Sequence, residues 1–166
     1  MPTLTQPDQQ AANLYWLAFL LTGDREASVH AAEETIESPE ANPFFLGWMM
    51  AWSRKVIISK ALGAIRQELA ASAARMALAR TPRSASPLPR NWSLAASATR
   101  TELERALLAI DAFPRCVLLL LLFEGLSVDD AMQLLGADRD LVRKAQAFAL
   151  QELTRNLAAI PEAAHA

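Results

Sequence analysis

The stretch that most constrains the fold runs from Phe123 to Asp138 and reads Phe-Glu-Gly-Leu-Ser-Val-Asp-Asp-Ala-Met-Gln-Leu-Leu-Gly-Ala-Asp. Gly125 predicts the end of a helix, because glycine enters the left-handed region without a steric penalty. Ser127 then offers a hydroxyl to cap the next helix, and Asp130, three residues on, sets a carboxylate at that helix's positive end. Leu126, Ala131, Leu134 and Leu135 supply one apolar face, Gly136 closes the short helix, and Asp138 caps a long final helix through Leu157. Two helices joined by a tight glycine-containing turn, the second one long, form a helix-turn-helix signature. Taken alone, the turn also fits an ordinary antiparallel helix pair, which is the commoner case.

Upstream of this stretch, the seven-residue apolar run Val117–Phe123 predicts a helix buried nearly all round. A hydrophobic fraction of 52% with only 5 glycines, and an abundance of Ala and Leu, argues for an all-α chain of one or two small domains. The formal net charge of −2 conceals a segregation. Residues 1–38 carry a net −5, residues 39–98 a net +6, and residues 99–166 a net −3. That pattern predicts two modules around a cationic centre.

Cys116 is the one cysteine, which excludes an intrachain disulfide and a Cys-rich zinc site; within an apolar helix it reads as a buried small hydrophobe. The apolar run Leu14–Leu21 is short and lacks a preceding basic segment, so no signal peptide is predicted. Nothing reaches transmembrane length, and the expected location is the cytoplasm without a membrane partner.

In chain order, a polar tail precedes a helix from about Asp8 to Leu21, with Leu14, Leu17, Ala18 and Leu21 on one buried face. Thr22-Gly23-Asp24 stops it and caps a second helix to about Glu37. Asn42-Pro43 opens a long third helix bearing Phe45, Trp48, Met49, Trp52 and Val56, then Leu62, Ile65 and Leu69. Residues 70–80 are Ala-rich and helical in expectation. The stretch from Thr81 to Asn91 holds three prolines and small polar residues, which predicts a semi-rigid tether. Thr99-Arg100-Thr101-Glu102 is a capping box that opens the second module, with helices over about 100–112 and 114–124. The domain reading is a helical module over 1–80, a linker over 81–98, a helix-turn-helix module over 99–158 and a tail over 159–166.

These motifs resemble those of bacterial RNA polymerase sigma factors of the extracytoplasmic-function group. In the second module the resemblance rests on Arg115-Cys116-Val117-Leu118-Leu119-Leu120, Phe-Glu-Gly-Leu-Ser at 123–127, Leu135-Gly136, and Val142 with Arg143. In the first it rests on Leu14-Tyr15-Trp16-Leu17-Ala18, Leu21-Thr22-Gly23-Asp24-Arg25-Glu26-Ala27, Glu34-Thr35-Ile36, Trp48-Met49 and Trp52-Ser53-Arg54-Lys55. The family's recognition helix carries arginine where this chain has Ala145 and Phe148.

The resemblance implies a transcription initiation protein that binds core RNA polymerase and directs it to promoter DNA, with an anti-sigma protein as a further candidate partner. It places polymerase contacts on the second helix, at Glu33, Glu34 and Thr35. It places minus-ten contacts on the third helix and minus-thirty-five contacts on the last. Read as residues, Arg54, Lys55, Lys60 and Arg66 form a basic side able to follow a DNA backbone, or a solubilising surface. Trp48 and Trp52 can stack on unpaired bases, although at helical spacing a core role is commoner. On the last helix, Leu141, Val142, Ala145, Phe148, Ala149 and Leu153 share one face. Arg139, Asp140, Arg143, Gln146 and Ala147 lie opposite, with Lys144 at the edge. Arg139, Arg143, Lys144 and Gln146 are therefore the candidate DNA contacts, and a solvated helix face is the other reading.

An enzyme is the weakest class. His30 and His165 lie far apart, there is no phosphate-cradling glycine loop or His/Cys metal spacing, and no cofactor is expected. The alternative to promoter-directed initiation is a degenerate relative that keeps the helical scaffold as a protein-interaction module or regulator.

Overall fold

The apolar stripes of the sequence fold as helices in a computed structural model that describes residues 6–36, 46–80 and 98–159, with side chains at residue 9 and over 11–35, 54–80 and 98–159. Among the described residues there are eight α-helices and no strand, so the chain is all-α. No helix among them is long and apolar enough to cross a membrane. The chain divides into two compact units, residues 1–67 and 68–166.

The first unit packs α1 (Gln6–Thr22), α2 (Arg25–Ile36) and α3 (Leu46–Ala64) against one another. Leu14, Leu17, Ala18 and Leu21 are buried as their spacing predicts, joined by Leu20, and α2 and α3, which pack on α1, bury Ala31 and Ala32 and Ile57, Ile58, Ala61 and Leu62 respectively. Each fully buried leucine or isoleucine contributes roughly 1.5–3 kcal/mol of transfer free energy. The Thr22-Gly23-Asp24 triplet acts as its chemistry predicts. Gly23 takes a φ of 71°, the Thr22 hydroxyl donates to the Ala18 carbonyl at 2.8 Å, and Asp24 Oδ1 accepts the Ala27 N–H at 2.7 Å. Tyr15 and Phe19, half-buried, lie parallel with ring centroids 6.3 Å apart.

The second unit contains α4 (Arg66–Leu78), α5 (Arg100–Leu108), α6 (Ala112–Leu118), α7 (Val128–Leu135) and α8 (Arg139–Ala158), with a π-helical turn over Leu119–Phe123 prolonging α6. The capping box at α5 is formed in both directions: Thr99 Oγ1 accepts the Glu102 N–H at 3.3 Å, and Glu102 Oε2 accepts the Thr99 N–H at 2.7 Å. Phe113, Cys116, Val117, Leu118, Leu119 and Leu120 are all essentially inaccessible, which matches the apolar run up to Leu120. Burial pushes the Cys116 thiol up to about 12. Arg115 is buried too, and its Nη1 donates to the Ile110 carbonyl at 2.9 Å, tying down the chain between α5 and α6.

Three features depart from the sequence reading. The long third helix ends at Ala64, and Ile65 separates it from α4. The stripe Leu62, Ile65, Leu69 looks continuous, but Leu69, Ser72 and Met76 form the buried face of α4. The division between units therefore falls within the first turn of α4 rather than near residue 80. Third, α6 starts at Ala112 under an Asp111 cap, with Pro114 in the first turn where its missing N–H has no intrahelical partner to lose. The Pro-rich stretch 81–97 lies outside the described residues, but both flanking residues, Arg80 and Ala98, belong to the second unit. Also outside are the Asn42-Pro43 helix start, the Phe45, Trp48, Met49 and Trp52 side chains, and residues 160–166 of the expected tail.

Candidate functional site

The candidate site is built by the chain reversal between α6 and α8. The π-helical turn shifts the hydrogen-bond register, so that the Glu124 N–H donates to the Leu119 carbonyl at 2.9 Å. Gly125, with a φ of 66°, then turns the chain, and the Leu126 N–H closes on the Leu120 carbonyl at 3.0 Å. Ser127 caps α7: its Oγ accepts the Asp130 N–H at 3.1 Å and donates to Asp130 Oδ2 at 2.7 Å. Gly136 ends α7 in the left-handed conformation, φ 60° and ψ 36°. Two residues later Asp138 Oδ1 accepts the Leu141 N–H at 2.8 Å and starts α8. Every cap in this reversal is the residue that the sequence nominates.

Val142, Ala145, Ala149 and Leu153 of α8 are fully buried, and Leu141 and Phe148 are half-buried on the same side. Arg139, Asp140 and Arg143 are exposed, and Gln146 and Ala147 are half-exposed. The cations differ in what they meet. Arg139 pairs with Asp129 of α7. Lys144 donates to the Ala77 carbonyl of α4 at 3.1 Å. Arg143 has neither an ion pair nor a hydrogen bond to another described side chain. Asp129, Asp130, Asp138 and Asp140 surround the start of the two helices with negative charge.

The first unit brings two sets of candidates together. Lys60 of α3, nominated for DNA, pairs at 2.8 Å with Glu34 of α2, nominated for polymerase. That ammonium holds the Glu34 carboxyl below its ordinary range, and His30 adds a contact at 3.4 Å. Glu33 and Lys55 are exposed, and Arg54 is half-buried. Thr35 is buried, with its hydroxyl donating to the Ala31 carbonyl at 2.7 Å. It offers no surface to a partner, contrary to its nomination, and serves the packing of α2.

Comparison of the chain with protein-family models, with curated proteins and with solved structures returns no match. The site therefore rests on its own geometry. Among the described residues no three His, Cys, Asp or Glu side chains converge as metal ligands.

Sequence reasoning missed the residues that neutralise the candidates. Asp129 was visible as a first-turn carboxylate, ten positions from Arg139, but its pairing depends on the angle between α7 and α8. The Ala77 carbonyl carries no side-chain signal at all.

Proposed function

We propose that the chain is a sigma-factor-like transcription initiation protein, whose helix pair α7–α8 is a helix-turn-helix that sets α8 in the major groove of an upstream promoter element while the first unit engages core RNA polymerase. The observation that carries this reading is the fully capped reversal from Ser127 through Gly136 to Asp138. It leads into a helix whose inner side is buried and whose outer side presents Arg143 and Gln146. A guanidinium and an amide one turn apart supply donors for phosphates and for base edges. Glu33, Lys55 and Arg54 remain the first unit's candidates for polymerase and melted-strand contacts.

A second reading, a protein-interaction module or regulator on the same scaffold, is favoured by the internal pairing of Arg139 with Asp129 and of Lys60 with Glu34. Each pair lowers the charge available to a phosphate backbone.

The two readings separate on mixing the purified chain with core RNA polymerase from its own source and testing for promoter-dependent transcripts from a genomic library. Complex and transcripts together establish initiation. Complex without transcripts supports the regulator, and absence of a complex removes the initiation reading.

A further inference from the structure

Helix α4 is held on the second unit by contacts of three kinds. Ser72, fully buried, accepts the Phe113 N–H at 2.8 Å, an amide in the first turn of α6 that has no partner within its own helix. Arg75 grips both oxygens of Asp111, the cap of α6, at 3.0 and 2.8 Å. Near the end of α4 the Ala77 carbonyl accepts Lys144 of α8 at 3.1 Å. Leu69 and Met76 are buried along the same helix.

The effect on α8 is electrostatic. The C-terminal carbonyls of a helix carry a partial negative charge, and here they lie beside Lys144 at the edge of the candidate DNA-binding face. With Arg139 on Asp129 and Lys144 on α4, Arg143 alone of these three cations has no partner in the docked state. The covalent connection is also short, because only Ile65 separates the end of α3 from the start of α4.

We propose that α4 is an autoinhibitory latch: its docking on α6 and α8 suppresses DNA binding by α8, and its release frees Lys144 and makes residues 65–98 the connection between α3 and α5. The latch rests on the promoter-binding reading of α8.

The test uses the full chain carrying Arg75→Cys and Asp111→Cys. The two substitutions themselves remove the charge pair; a short bis-maleimide bridge between the cysteines ties the latch closed, and capping each with N-ethylmaleimide leaves it without a tie and open. Native Cys116, fully buried with α4 docked, is replaced by Ala so that release of α4 offers no third thiol to the reagents. Two readouts are taken: hydrogen exchange at the Phe113 amide, and anisotropy of a short labelled duplex of arbitrary sequence at low salt. The Ser72→Arg chain provides a second open form.

The latch predicts a protected Phe113 amide in the bridged form and a fast one in both open forms. It also predicts roughly tenfold tighter duplex binding when open, because apparent affinity scales with the fraction of competent molecules. Equal affinities with the amide released overturn the latch and leave the DNA reading intact, provided that Arg143→Ala weakens the binding or lowers its salt slope. An amide equally protected in all forms shows α4 to be a fixed part of the core, and also overturns it. No duplex binding in any form, open ones included, removes the promoter-binding reading and the latch with it.

Discussion

The cationic sides of α3 and α8 look alike in sequence and differ in what the fold makes of them. On α3, Lys60 meets Glu34 from the neighbouring helix, so a nominated DNA contact and a nominated polymerase contact satisfy each other. On α8, Arg139 and Lys144 are likewise occupied, but Arg143 stands between them on the outer turn without a partner. A basic residue in a sequence is therefore an offer of charge that packing can withdraw. The nucleic-acid reading consequently leans on the second unit, and on one arginine in it more than on the total.

This contrast requires that the two units hold separate cores. Phe113, fully buried at the start of α6, tests that with the largest expected effect. Phe113→Ala should destabilise the second unit by about 3–5 kcal/mol through lost burial and a residual cavity. Amide exchange in α1–α3 should keep its protection. Equal loss of protection in α1–α3 would show one cooperative core, and the comparison of two separate surfaces would lapse.

Charge removal comes next. Arg143→Ala is expected to weaken duplex binding by about 1–3 kcal/mol if the guanidinium reaches a base edge. If it meets only a phosphate, the logarithmic salt slope should fall by about 0.9. Lys60→Ala should change neither, because its charge is already matched by Glu34. A larger effect at Lys60 than at Arg143 would invert the comparison and move the nucleic-acid site to the first unit.

The turn that presents α8 is a smaller lever. At Gly136 the φ of 60° lies in the left-handed region, and an added Cβ would meet nothing within 4 Å. Gly136→Ala should therefore cost about 1–2 kcal/mol of backbone strain without a steric clash. Thermal melts should register this, while the duplex affinity of the molecules still folded stays unchanged. A loss of affinity larger than the loss of stability would mean that the angle between α7 and α8 itself sets the site.

What the sequence disclosed follows from the range of the interactions. Caps and stripes are local, so Ser127, Asp138, the Thr99–Glu102 box and the Leu14–Leu21 face were legible. The allegiance of α4 was not, because Leu69 extends the stripe of α3, and the contacts of Ser72, Arg75 and the Ala77 carbonyl, reaching residues 41, 36 and 67 positions away, assign it to the second unit. The π-helical turn was hidden as well, since Leu119–Leu122 has no side-chain polarity to mark a change of backbone register. Of the candidate site, the helix and its outward residues were readable, whereas their occupancy by Asp129 and Ala77 depends on tertiary geometry.

The finest distinction is in pH. Asp111 in the second unit and Glu34 in the first both have carboxyl groups held below their ordinary range, by Arg75 and by Lys60 respectively. Ser72 and the Ala112 N–H add to the effect at Asp111. A carboxyl group whose folded-state value is depressed stabilises the structure above its unfolded value of about 4, and that contribution is lost as pH falls through the folded value. Docking of α4 should therefore be flat from pH 8 to about 5 and weaken only below about 4. The Phe113 amide, corrected for its intrinsic exchange rate, reads this directly. Asp111→Asn should flatten the acid limb, and Glu34→Gln should leave it in place, because the two pairs belong to different units. Weakening between pH 5 and 7 would instead exclude Asp111 as the group that controls the contact, because a carboxyl held below its ordinary range by Arg75 is already fully ionised there.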